Sequence, residues 1–380
     1  DDTLFNNQKN EETGLGRIEY SGAFLKGAIN LQSLYETGAG QEQKQSFTYV
    51  EVPAGQGVYY WIDYNNDGVQ QANEFQVGVY PDQKKFIRIL TPTNEYVRVN
   101  YVTFNQSISL DPALYFGLKV TGFKKFVSRI SDQGSLQITN RLTNTSGLQA
   151  INPFLSTLRD DRIINAGTSL SNTLFFNRNN THYGLEYTYL HNSSKQLLTY
   201  GVEGMSNSQH TGKFRWNVNQ NFSANLSTSA GLRGYASALS DGRTYAVRSE
   251  NVAPALTWLY RGTIRITGTI QYEKRNNEQQ YGGEKATIQR GDLEFKYSKP
   301  ISGIFSIKAG YAGITYDGLT TAPVAFTMLD ALTPGANYLW SANWDRRIGK
   351  GIELSIEYQG RKPGTGTTVH TGQMTVRAIL

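Results

Sequence analysis

The sequence contains no cysteine, which excludes both a disulfide framework and a thiolate-held metal. No apolar run approaches the ~20 residues of a membrane-spanning helix. Helical membrane proteins are thereby excluded. Strand-built ones are not, because each of their crossings is short and only half apolar. Blocks of like charge are missing too. The 37 basic and 31 acidic residues are interspersed, and a net charge of +6 without a Lys/Arg cluster argues against a nucleic-acid partner. Histidine is scarce, at 4 residues, and there is no G-x-S-x-G, GxGxxG, P-loop or H-E-x-x-H. The expectation is therefore not an enzyme.

What is present is alternation. Ile352, Leu354, Ile356 and Tyr358 fall on one face of an extended chain, and Glu353, Ser355, Glu357 and Gln359 on the other. After a turn rich in Gly and Pro, Met374, Val376, Ala378 and Leu380 alternate with Gln373, Thr375 and Arg377. The same period recurs upstream. Ile264, Ile266, Ile270 and Tyr272 oppose Arg265, Thr267, Thr269, Gln271 and Glu273, while Phe214, Trp216 and Val218 oppose Lys213, Arg215, Asn217 and Asn219. A buried soluble sheet would not carry Arg, Lys and Glu so regularly on its inner face; a wet lumen permits it. Lipid on the other side leaves no water for backbone groups, so such a sheet must close on itself. The expected fold is all-β, a transmembrane antiparallel β-barrel of about 16 strands, within roughly 14 to 18. The 24 Tyr, 17 Phe and 5 Trp, many beside turns, fit two interfacial girdles.

The pattern divides the chain in three. Residues 1–52 hold a polar opening (1–16) and the first strands, broken near Lys26-Gly27 and by a Gly-rich turn at 37–42. Residues 53–97 interrupt the alternation as an insertion. Residues 98–380 form the main barrel, with strands expected near 98–110, 115–126, 132–143, 167–178, 182–191, 197–206, 211–222, 224–237, 246–260, 263–275, 284–298, 303–316, 334–346, 351–360 and 367–380. Connections alternate between long outer loops and short inner turns. Counting back from a periplasmic C-terminus, the outer set is 53–97, 207–210, 238–245, 276–283, 317–333 and 361–366. The inner set is the turns near 223, 261–262, 299–302 and 347–350. The long connection 143–166 is also expected inside, with a helical stretch over 155–164 that plugs the lumen or packs below the barrel. A barrel must be exported, and the opening Asp-Asp-Thr-Leu-Phe carries no signal peptide; the expectation is a mature product or the C-terminal part of a longer chain.

One motif is sharp. Asp63-Tyr-Asn65-Asn-Asp67-Gly68-Val69-Gln-Gln71-Ala-Asn-Glu74 matches D-x-[DN]-x-[DN]-G-x5-E at every defined position. Calcium is a hard ion that takes six to eight oxygens. Asp63, Asn65 and Asp67 offer side-chain oxygens, Gly68 the sharp turn, Val69 its carbonyl, Gln71 a ligand or bridging water, and Glu74 both carboxylate oxygens. These residues resemble the EF-hand calcium loop. The flanks depart from it: Val58 to Ile62 and Phe75 to Val79 read as strands, so the expected role is to brace a loop, not to open a helix pair. His182 and Glu186 share a predicted lumen face, which a polar wall explains.

Tyr59-Tyr-Trp-Ile-Asp-Tyr-Asn-Asn-Asp-Gly, Pro81-Asp-Gln-Lys-Lys-Phe-Ile-Arg and His370-Thr-Gly-Gln-Met-Thr-Val-Arg-Ala-Ile-Leu resemble the C-terminal barrel region of large outer-membrane proteins of the Bacteroidota type. The resemblance implies a diderm outer membrane and a longer precursor. It also implies contact with lipid and with other outer-membrane or surface proteins. The function expected is a structural or scaffolding subunit of an outer-membrane complex for secretion, uptake or barrel assembly. The alternative is a channel or transporter with a polar lumen.

Overall fold

The computed structural model describes residues 14–378, apart from 118, 144, 146, 155–161, 239–240, 300–302, 349–350 and 365. Most of the polar opening segment, most of the 155–164 helix and Leu380 lie outside the described residues.

Among the described residues seventeen strands form one sheet. In chain order they are β1 (Leu15–Phe24), β2 (Ile29–Glu51), β3 (Tyr59–Trp61), β4 (Phe75–Val77), β5 (Phe86–Leu110), β6 (Ile130–Leu142), β7 (Ile163–Phe176), β8 (Tyr183–Leu198) and β9 (Gly201–Asn217). They continue as β10 (Phe222–Ser237), β11 (Tyr245–Tyr260), β12 (Ile264–Asn277), β13 (Lys285–Lys299), β14 (Gly303–Asp317), β15 (Gly335–Arg347), β16 (Ile352–Pro363) and β17 (Val369–Ala378). Every strand except β3 and β4 joins one antiparallel meander in sequence order, β2 pairing directly with β5. Such a meander needs only short links. At Tyr260-Arg261-Gly262-Thr263, Arg261 (φ 50) and Gly262 (φ 70) are both left-handed and the Thr263 amide donates to the Tyr260 carbonyl at 3.1 Å. That mirror-image turn matches the twist of the strands it joins.

Register puts the alternation on the two faces as the sequence predicts. Tyr260 pairs with Ile264, Ile264 with Tyr297, Tyr297 with Phe305 and Phe305 with Trp344, giving one apolar row close to the short turns. Leu256, Ile270, Leu293, Met374 and Val376 on this face are more than half exposed. The other face carries Glu203, Arg275, Arg290, Asn337, Gln359 and Arg361. Among the described residues no helix is long and apolar enough to cross a membrane.

The sheet curls toward its polar face. β5 and β16 stand eleven strands apart in the meander, about 53 Å if flat at ~4.8 Å per strand. Yet Asp82, a few residues before β5, forms a bidentate pair with Arg361 on β16, Arg361 Nη2 donating to Asp82 Oδ2 at 2.6 Å. Only a curved sheet brings those strands within reach. Among the described residues, β1 and β17 each pair on one side only.

Several expectations are corrected. Residues 115–126 are not a strand. They span α1 (Pro112–Phe116) and α2 (Gly122–Val127), because Asp111 accepts the Ala113 amide as an N-cap and Pro112 pre-sets the first helical φ. Residues 207–210 are not a loop but the middle of β9, where His210 is held between Tyr187, whose hydroxyl lies 2.7 Å from Nδ1, and the stacked ring of Tyr189. The Gly-rich stretch 37–42 is no turn either, since β2 runs through it, and β5 begins at Phe86, well before residue 98. Each of the first two errors invents a crossing, and they cancel for everything upstream. The insertion therefore stays at the end opposite the close of β17. The connection 143–162 does not: it lies at the insertion's end, not at the end where β17 finishes. Nor does its described part plug the polar side. Within it α3 (Leu148–Ile151) and Phe154 cover the apolar face, with Phe154 edge-on to Phe104 at 5.6 Å and the Pro153 carbonyl accepting from Asn140 at 2.7 Å.

Candidate functional site

The insertion closes on itself through β3 and β4, which pair Tyr59 with Val77 and Trp61 with Phe75. The Ile62 amide donates to the Glu74 carbonyl at 2.9 Å, so the two ends of the motif meet. Between them the chain turns tightly, with Asn66 (φ 58) and Gly68 (φ 72) left-handed. Asn tolerates that region and Gly is free in it. Asp63 Oδ2 accepts from the Gly68 amide at 2.9 Å and Oδ1 from the Asp67 amide at 3.2 Å; Asp67 Oδ1 accepts from the Val69 amide at 2.7 Å. These bonds to backbone N–H groups aim the carboxylates inward.

One oxygen from each of Asp63, Asp67 and Glu74 lies within 4.8 Å of the others. Glu74 is 2% exposed, and its Oε2 accepts from Trp61 Nε1 at 2.9 Å and the Gln71 amide at 3.2 Å. Among the described residues none of the three carboxylates has an ion-pair partner. Like charges at this spacing repel, and a buried carboxylate held only by neutral donors is costly. A hard cation relieves both, so the donor set fits one. Asn65 and Gln71 also converge, but through their amide nitrogens, at 2.9 and 2.7 Å from Asp67 Oδ2. Val69 meets Asp67 through its own N–H and turns an exposed side chain outward. Of the six expected ligands, then, three carboxylates are assembled and the two amides lie alongside them. Beside the loop, burial pushes the Tyr64 phenol up to about 12. His182 and Glu186 do not form a pair: His182 sits in a turn against Thr181, and Glu186 accepts from Lys213 at 3.1 Å.

Residues that the motif did not reveal hold this loop in the concave side of the sheet. Phe75 stacks on Tyr49 at 3.8 Å between centroids, and its carbonyl accepts from Arg243 Nη2 at 2.9 Å. Tyr60 stacks on Phe326 at 6.1 Å. Arg361 also lies over the Tyr80 ring at 4.3 Å. Phe326 belongs to α4 (Pro323–Met328), folded inward from the β14–β15 connection. Val324, Ala325, Met328, Leu329 and Leu332 pack there against Val247, Ala286, Ile288, Ala312 and Ile314. Arg275 locks the end of α4: it donates to the Met328 carbonyl at 3.0 Å and to both Asp330 oxygens at 2.8 and 3.0 Å, and pairs with Glu273 at 2.7 Å. No protein-family model and no curated protein matches the chain. Function must be argued from this geometry.

Where the upper β2–β5 hairpin bends inward past an irregularity at Gln43/Gln45, Gln45 pairs with Leu198 and Arg88 reaches Glu203 at 2.8 Å. Hairpin, insertion, α4 and the β7–β11 wall border an open-sided chamber of ≈ 690 Å³.

Proposed function

We propose that the chain is an integral outer-membrane β-barrel protein. It acts as a structural or scaffolding subunit whose lumen is closed by its own insertion and whose metal loop takes calcium. The observation that carries this reading is the contrast between the two faces: one is apolar and, apart from the connection after β6, uncovered; the other is polar and filled. An exposed apolar face of this extent needs a non-aqueous partner. The row Tyr260, Tyr297, Phe305 and Trp344 supplies one aromatic girdle, and the neighbours Tyr311 and Tyr338, 5.5 Å apart, stand on the second. Phe305 to Tyr311 covers about 20 Å of strand at ~3.4 Å per residue, close to the ~25 Å apolar band of outer-membrane barrels. The insertion and loops such as 318–334 then face outside, the close of β17 faces the periplasm, and partners are other outer-membrane or surface proteins. Purified protein should need detergent, shift its gel mobility on heating, and show no large steady current in planar bilayers. A protein monodisperse without detergent overturns the membrane assignment, and large steady currents favour the channel reading over the scaffold.

Calcium would be held by Asp63, Asp67 and Glu74, with Asn65 and Gln71 turning their amide oxygens inward and Val69 adding its carbonyl. The ion would fix the β3–β4 loop and hence the cap. Calorimetry should show calcium heat in the native protein and none in Glu74→Ala. Trp61→Phe, which removes only the donor to Glu74, should weaken binding by about 10–100-fold, the usual effect of losing an outer partner of a ligand. Calcium should also slow proteolysis within 53–85. Absence of heat in the native protein reduces the motif to a turn.

A further inference from the structure

We infer that the chamber beneath the insertion is a binding site for a small anionic saccharide, a sugar bearing a carboxylate or phosphate. Its volume of ≈ 690 Å³ lies in the range of small-molecule sites. The charge of its lining is unbalanced. Its two carboxylates are already matched, Glu203 by Arg88 at 2.8 Å and Asp330 by Arg275 at 2.8 Å. Arg243 and Arg233 also line it, and among the described residues neither has a carboxylate partner. Arg243 is only 9% exposed. One of its Nη atoms is used on the Phe75 carbonyl, but its Nε is buried with no hydrogen-bond partner. A guanidinium so buried, part-satisfied and without a counter-charge is stabilised by an anion placed at its edge of the chamber.

The remaining lining indicates what the anion is attached to. Arg243 lies over the Tyr235 ring at 5.3 Å, and Tyr235 stacks on Tyr245 at 5.8 Å. Those contacts occupy the Tyr235 ring, but Tyr59 and Phe326 also line the chamber, and an aromatic lining suits a ring. Around them Gln76, Asn165, Ser194 and Gln196 bring amides and hydroxyls, which suit a ring carrying hydroxyl groups rather than a wholly apolar one. This site is distinct from the metal loop and does not depend on the membrane assignment.

Calorimetry on the full chain in detergent tests it, with glucuronate, glucose 6-phosphate, glucose and inorganic phosphate as probes. Both charged sugars should bind at least tenfold tighter than glucose and tighter than phosphate, more weakly as salt rises. If only one charged sugar binds, the anion is thereby identified. Arg243→Gln should lower affinity at least tenfold, and Arg243→Lys should restore part of it. Because Arg243 also steadies Phe75, Arg233→Gln is the second variant: among the described residues its side chain makes no ion pair, and it should weaken binding at least threefold with an unchanged circular dichroism spectrum. Equal affinity for glucose and the charged sugars overturns the proposal. So does phosphate binding as tightly as the sugars, or unaltered affinity in both variants.

Discussion

If the insertion closes the lumen as proposed, excising residues 53–84 and joining Val52 to Lys85 through Asn-Gly should produce a conducting protein. Val52 and Lys85 already face each other, the Val52 amide donating to the Lys85 carbonyl at 2.7 Å, and Glu51 pairs with Phe86. The excision therefore leaves a paired hairpin end that a two-residue turn can close. What it removes is the contact of Asp82 with Arg361, of Tyr60 with Phe326 and of Phe75 with Arg243. The polar face loses its cover on one whole side, while α4 keeps its own apolar seat. In planar bilayers the excised form should show steady steps where the intact protein shows none, with both forms retaining the heat shift on gels. Equal silence in the two forms would mean that α4 and the bent hairpin suffice to seal the sheet.

Replacing Arg275 by Met should cost about 3–5 kcal/mol, the usual penalty for stripping one member from a buried ion pair. Arg275 is one of the few side chains here that ties the wall to the plug, and its own side chain is only 13% exposed. Its loss leaves Glu273, 8% exposed, without its cation. It also uncovers the Met328 carbonyl at the end of α4. Adding Glu273→Gln and Asp330→Asn should recover part of the loss, since the expense lies in the carboxylates left behind. Urea midpoints in micelles measure both. A loss below about 1 kcal/mol would place Arg275 among the weak surface pairs.

How much of this was legible in the sequence depends on what each feature rests on. Strands such as Ile352–Pro363 were legible because their period of two is written locally. The convergence of Asp63, Asp67 and Glu74 was legible for the same reason, the three carboxylates being spaced within one turn of chain. Residues 115–126 misled although Asp111-Pro112 announces a helix start, because short apolar stretches fit either period. Residues 207–210 misled because Asn207 and Gln209 face the polar side while Ser208 and His210 interrupt the apolar one, so four polar residues in a row read as a loop. The pairs Arg361 with Asp82 and Arg275 with Asp330 could not be read at all. The first arises from curvature and the second from the inward fold of the β14–β15 connection, and nothing in the local sequence records either.

The contact between Asp82 and Arg361 carries a consequence for the order of assembly. One partner precedes β5; the other sits on the last strand but one. A link of such sequence separation cannot form until nearly all the wall is in place, and contacts of that kind are the slow ones in folding. Until then the insertion has no seat on β16 and hangs from its hairpin, open to proteases. The clasp thus acts as a completion mark: a chain with its insertion docked on Arg361 is a chain whose strands up to β16 have already found their neighbours.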